Sequence, residues 1–187
     1  MSYTLSTLHS DQTERLILES ALHLLERGDS ELTMRAVARQ AGISERTMFR
    51  YFATRDHFLD AVTREFTRKL ALPPAPESMD EIRTMPRRLY ETLETKSSLV
   101  RTSLRSDIFQ RMWGGVAHQR WIGIRKALEK WAPRAPEEPR KIAAANIRYF
   151  LSGTTWHYYR FVFRFTLEET IAAAETAIRQ TLNDLKK

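Results

Sequence analysis

An all-α fold is predicted for this 187-residue chain by three observations. Apolar residues recur at steps of three and four along most of its length. No stretch alternates apolar and polar residues as a half-buried strand does. Only six glycines interrupt the pattern, while proline clusters in two places. The expected architecture is an N-terminal three-helix head containing a helix-turn-helix, followed by a second helical domain, with about nine helices in all.

Residues 1–10 show no such pattern and are expected to form a flexible N-terminal arm. Residues 11–27 carry Leu16, Ile17, Ala21, Leu24 and Leu25 at helical spacing, and Gly28 ends the run. Thr33 is placed to cap a second helix with Met34, Val37 and Ala38 on its inner face. Gly42 supplies the left-handed turn residue, Ile43 plugs the corner, and Ser44 caps a third helix. Thr54 can cap a fourth, running to about residue 70 with Phe58, Leu59, Val62 and Phe66 inward. The run Leu-Pro-Pro-Ala-Pro at 72–76 then breaks the pattern, because proline lacks a donor and disfavours helix before it. Domains are therefore expected at 11–71 and 72–187.

Beyond that boundary the spacing predicts helices near 78–95, 97–110, 112–131, 138–163 and 167–186. The segment 142–163 carries two apolar stripes. One is Ile142, Ala145, Tyr149, Trp156, Tyr159 and Phe163; the other is Ile147, Phe150, Leu151, Tyr158, Phe161 and Val162. A helix apolar on two faces needs cover on both, from the monomer's own core or from a second copy of the chain. The last helix opens with Thr166-Leu-Glu-Glu169, a capping-box pattern. Alanines at 172–174 and 177 would let a neighbouring helix approach closely.

The segment 32–55 carries the functional signal. A helical hairpin needs the same cap, glycine and apolar positions, but a solvated helix more often carries Glu and Lys on its outer face. Here that face carries Arg46, Thr47, Arg50 and Tyr51, groups suited to guanine edges and phosphate oxygens. Glu45 is able to accept from cytosine. A helix-turn-helix of this kind places its second helix in the major groove of DNA. The pattern Thr33-x-Arg35-x-Val37-Ala38-x-x-Ala41-Gly42-Ile43-Ser44-x-x-Thr47-x-Phe49-x-Tyr51-Phe52, followed by Arg55 and Leu59, resembles the tetracycline-repressor (TetR) family of bacterial regulators. Phe49 stands where that family more often has Tyr, and Arg55 where it more often has Lys.

The resemblance implies an all-α chain with an N-terminal helix-turn-helix DNA-binding domain and a C-terminal helical ligand-binding and dimerisation domain. It implies a homodimer built on the last two helices, a palindromic operator in double-stranded DNA, and a small-molecule effector that releases the DNA. Arg46, Thr47, Phe49, Arg50 and Tyr51 would face the groove; Thr33, Arg35, Ser44 and Arg55 would hold phosphates. For the effector, Arg105, Phe109, Met112, Trp113, Trp121, Tyr149 and Trp156 are the candidate lining, although aromatic and apolar residues describe a core as well as a pocket. Arg101, Arg105, Arg120 and His157 suit an anionic ligand such as a carboxylate, and equally suit a solvated surface. The alternative is a DNA-bound scaffold whose C-terminal domain engages a protein partner.

Total charge carries little of this reading. The net charge is +7, yet residues 1–70 hold 10 basic and 10 acidic side chains. The useful feature is local: 33–55 holds five arginines and a single acid, Glu45. Phosphate attraction acts over a Debye length of about 8–10 Å, so clustering outweighs the total. There is no cysteine, hence no disulfide or thiolate metal site. No apolar run approaches the ~20 residues of a membrane helix, and the start lacks the features of a signal peptide; a cytoplasmic protein is expected. No phosphate-binding glycine loop, metal-ligand spacing or nucleophile elbow occurs, so neither enzyme chemistry, catalytic residues, bound metal nor cofactor is expected.

Overall fold

The computed structural model describes residues 5–112, 115 and 117–185, the side chains of 5–10 excepted. Every regular element among them is helical. In chain order these are α1 Leu5–Glu26, α2 Met34–Gln40, α3 Glu45–Tyr51, α4 Arg55–Leu70, α5 Met79–Glu94, α6 Ser97–Ser103, α7 Asp107–Met112, α8 His118–Trp131, α9 Glu137–Phe150, α10 Gly153–His157 and α11 Leu167–Asp184. A π-helical turn, Tyr158–Val162, continues α10. Helix α1 starts at Leu5, so the segment expected as an arm is helical from there; residues 1–4 lie outside the described part.

The chain divides into two compact units. The first runs to Lys69 and takes in Ser98–Arg111; the second comprises Leu70–Ser97 and the chain from Met112. In the first, Ile17, Ala21 and Leu25 from α1 are fully enclosed with Val37 and Ala38 from α2, Met48 from α3, and Phe58, Val62 and Phe66 from α4. Leu16 is an exception to the spacing argument: it sits on the flank of the α1 stripe and is 44% exposed. The turn between α2 and α3 needs Gly42, whose φ of 67° a side chain tolerates poorly. Helix α4 ends just before Ala71, which takes a φ of 48° ahead of the prolines.

The second unit is organised on α5 and α11. Ile82, Met85, Leu89 and Tyr90 of α5 and Ile171, Ala174 and Ile178 of α11 are buried, with Ile124 and Leu128 of α8 and Ala144 and Ile147 of α9. Helix α8 lies hard against the 73–76 segment: a Cβ on Gly123 would come within 2.5 Å of the Pro76 carbonyl. The capping box of α11 is present, with Thr166 Oγ1 accepting from the Glu169 amide and the Glu169 carboxylate accepting from the Thr166 amide.

Two helices expected to be continuous are broken. The expected helix over 97–110 is interrupted between Ser103 and Asp107, where the Ser106 hydroxyl donates to the Ser103 carbonyl. The expected helix over 138–163 breaks at Leu151, and Ser152 restarts the chain by accepting from the Thr155 amide at 3.1 Å. A serine that competes for backbone donors, followed by a glycine, outweighs the apolar period there.

The break re-sorts the two apolar stripes. Ala143, Ala144, Ile147, Leu151 and Trp156 go into the core, whereas Ile142, Tyr149, Tyr158, Val162 and Phe163 stand in solvent. Trp156 is anchored by Glu94, which accepts from the indole Nε1 at 3.0 Å and from Arg160 Nη2 at 2.6 Å. The Arg160 guanidinium, followed by the indole hydrogen bond, holds the Glu94 carboxyl below the usual carboxylate range, against the opposing effect of burial. A depressed carboxylate stabilises the fold above its unfolded pKa of about 4.3, and that contribution is lost as pH falls through the folded value. Glu94→Gln should therefore lower stability at pH 7 by about 1–3 kcal/mol in urea unfolding, the two proteins converging below about pH 4.

Candidate DNA interface

Helix α3 is seven residues long and is held by its two ends and one face. At the start, Ser44 Oγ accepts from the Thr47 amide at 3.1 Å and lies 2.9 Å from the Thr47 hydroxyl. At the end, the Phe52 amide donates to the Met48 carbonyl and the Phe52 ring is buried against Phe58. On its inner face Met48 has no exposed surface. With Met48 pointing inward, helical spacing turns Glu45, Arg46, Phe49 and Arg50 outward, and all four are exposed.

Phe49 is the unusual member, an aromatic ring 52% exposed on a short helix. It has lost the hydroxyl of the commoner tyrosine and offers only an apolar edge, suited to a thymine methyl or a sugar. The Arg50 guanidinium stands 5.3 Å from the centre of the half-buried Tyr51 ring, which biases its direction without burying it. Arg46 is exposed.

The expected phosphate-holding residues surround this face, but most of them already have protein partners. Thr33 Oγ1 accepts from the Ala36 amide at 3.1 Å, so its oxygen caps α2 while its hydroxyl hydrogen stays available to donate. Arg35 pairs with Glu45 across the turn at 3.3 Å. Arg55, at the start of α4, donates to Asp107 of α7 at 2.6 Å. Arg111 of α7 reaches back to both Asp56 and Asp60 of α4. Helix α7 and the first turns of α4 thus exchange charges in both directions, a pairing that residues about 50 positions apart give no local sequence signal for. These pairs are largely exposed, so each is worth about 0–1 kcal/mol and is readily exchanged for another ion.

The expected effector residues are dispersed. Arg105, which is exposed, and Phe109 belong to the first unit, whereas Met112, Trp121, Tyr149 and Trp156 belong to the second. Trp113 lies outside the described residues. Tyr149 faces solvent at 56% exposure, and Trp156 at 0% is packed into the core. A surface groove in the second unit is lined by Arg83, Trp131, Glu175, Ile178, Arg179 and Leu182 instead.

Ser44 separates two duties of one side chain. Ser44→Ala should cost about 1 kcal/mol of thermal stability through loss of the cap. Ser44→Asp should keep the cap and the stability yet weaken binding to any duplex, since it adds a negative charge beside the α3 face. Differential scanning calorimetry and fluorescence anisotropy on a random duplex measure the two effects.

Residues 17–62 match the family model described as bacterial regulatory proteins, tetR family. Comparison with proteins of curated function gives no match. Among solved structures, a tetR-family transcriptional regulator from Streptomyces coelicolor superposes with a TM-score of 0.56 at 16% identity, over 91% of this chain and 79% of that one. A TetR transcriptional regulator from Rhodococcus sp. RHA1 superposes with a TM-score of 0.50 at 17% identity, over 93% of this chain and 98% of that one. No helix among the described residues is long and apolar enough to cross a membrane. The segment that matches the family model holds α2, α3 and parts of α1 and α4, and the chain shares the all-helical fold of these regulators.

Proposed function

We propose that the protein is a repressor that binds a palindromic operator as a homodimer and is released by a small-molecule effector taken up in its C-terminal unit. The observation that carries the reading is the outer face of α3, where Arg46, Phe49 and Arg50 project while Met48 locks the helix from behind. Arg46 and Arg50 would read base edges with Thr47 and Phe49, while Thr33, Arg35, Ser44, Tyr51 and Arg55 would fix the register on phosphates. Binding exchanges the Asp107 carboxylate on Arg55 for a phosphate and the Glu45 carboxylate on Arg35 for another. Each exchange replaces one ionic partner by a second, so little net energy is lost at these positions.

The dimer reading rests on the solvent-facing row Ile142, Tyr149, Tyr158, Val162 and Phe163. Large apolar side chains gathered on one side of α9 and the π-helical turn are uncommon on a monomer's surface. A twofold axis through this row would present two α3 helices to successive major grooves, about 34 Å apart. An effector then releases DNA by its differential affinity for two head separations; about 100-fold corresponds to about 2.7 kcal/mol.

Two measurements test the reading. Arg50→Ala should weaken operator binding by about 1–3 kcal/mol while leaving binding to random duplex nearly unchanged, as read by electrophoretic mobility shift on both DNAs. Equal losses on both would assign Arg50 to phosphate, and no loss would remove it from the interface. Phe163→Glu should shift the protein from dimer to monomer in sedimentation equilibrium, because an ionised carboxylate has no partner in an apolar interface. A dimer unchanged by that substitution would place the axis elsewhere.

A further inference from the structure

The C-terminal unit encloses an arginine that nothing so far explains. Arg120 on α8 is 4% exposed. Its Nη2 donates to the Pro73 carbonyl at 3.0 Å, while its buried Nε has no partner. Among the described residues no carboxylate pairs with it. A second guanidinium lies close by: Arg148 of α9 donates from Nε to the Ala117 carbonyl at 3.2 Å and from Nη1 to the Leu151 carbonyl at 3.3 Å. Ala117 precedes Arg120 by three residues, less than one helical turn, so both cations converge on the start of α8.

Burial, and then the positive charge of Arg148, lowers the proton affinity of Arg120 to a pKa of about 10. Burial alone lowers that of Arg148. Arg120 therefore stays charged at neutral pH in a place where charge is costly, and carbonyl oxygens return only part of its lost hydration. Two guanidiniums near enough for one to lower the proton affinity of the other form a pair whose donors suit the oxygens of a carboxylate or a phosphate. One side of the place is fixed, because Ala75 and Pro76 lie against α8 at Gly123, three residues beyond Arg120.

We propose that Arg120 and Arg148 form an internal anion site that holds the carboxylate or phosphate group of the effector. The inference rests on the reading of the C-terminal unit as the sensor and adds to it the ligand's chemical class. Arg120 reaches the anion through Nε and its remaining amino hydrogens without giving up the Pro73 carbonyl. Neutralising the pair removes the repulsion between them and draws α8 and α9 together at their shared end. Sequence alone leaves Arg120 among several candidates for either an anion ligand or a surface charge, and gives no reason to choose Arg148.

The test uses the full chain at constant ionic strength, with thermal unfolding followed against sodium benzoate, phenyl phosphate, inorganic phosphate and the uncharged benzamide. Saturable stabilisation by one or more of the anions, with none from benzamide, is expected. Arg120→Met should weaken that response by about tenfold or more, the size expected for a charge-assisted hydrogen bond, and Arg120→Lys should recover only part of it. Benzoate acting alone identifies a carboxylate ligand; phenyl phosphate or inorganic phosphate acting alone identifies a phosphate. If Arg120→Met does not fold, Arg148→Met carries the same titration. No saturable shift with any anion, or a shift that survives both substitutions, overturns the site. Operator binding by the same variants is measured in parallel: duplex binding retained without an anion response sinks this inference alone, while loss of sequence-specific binding in the parent protein sinks the repressor reading.

Discussion

The burial of Met48 is the contact on which the outer face of α3 depends. A seven-residue helix has no stability of its own, since nucleation costs more than two turns of hydrogen bonds return. Its direction is set by packing, and Met48, fully enclosed on its one inward face, is where that packing occurs. Ser44 and Phe52 close the two ends, and Gly42 takes the left-handed φ that lets α2 reverse into α3. Once these are in place, the outward direction of Arg46, Phe49 and Arg50 follows from helical geometry without further interaction.

Arginine does opposite work in the two units. In the first, Arg35, Arg46, Arg50 and Arg55 are exposed, and the carboxylates on Arg35 and Arg55 are held in water at little cost. Such pairs are readily exchanged for another ion, phosphate included. In the second, Arg120 is enclosed, and the neighbour that most affects it is another cation. A buried charge cannot be screened by salt or relieved by water, so its partner must be a specific one. Arg160 shows the satisfied case, closed on Glu94 and locking Trp156 into the core.

The ion pairs between α4 and α7 tie together two segments of the first unit that are distant in sequence. Arg55 sits at the start of α4, and its guanidinium donates to Asp107 of α7. Arg111 makes the reciprocal contacts to Asp56 and Asp60. The charge of the α4 start is thereby tied to the placement of Ser98–Arg111, a stretch that groups with the head although it follows α5 in the chain.

The sequence by itself determined the helix-turn-helix: the caps at Thr33 and Ser44, the turn at Gly42, the inner faces of α2 and α4 and the capping box of α11 all follow from rules spanning four residues or fewer. Local rules suffice there because capping, left-handed φ and helical spacing are properties of a short segment. Only the tertiary structure decided the rest. Periodicity marks 138–163 as continuous, but the cap at Ser152 ends one helix and starts another, and that break sends Trp156 inward and Phe163 outward. Arg105 and Phe109 group with the first unit and the other described effector candidates with the second, and Arg120, by sequence either an anion ligand or a surface charge, lies in the interior. Helical spacing tells which residues share a face, not what that face meets. The pairing of Arg55 with Asp107, and of Arg120 with Arg148, depends on elements distant in sequence that meet only when the chain has packed.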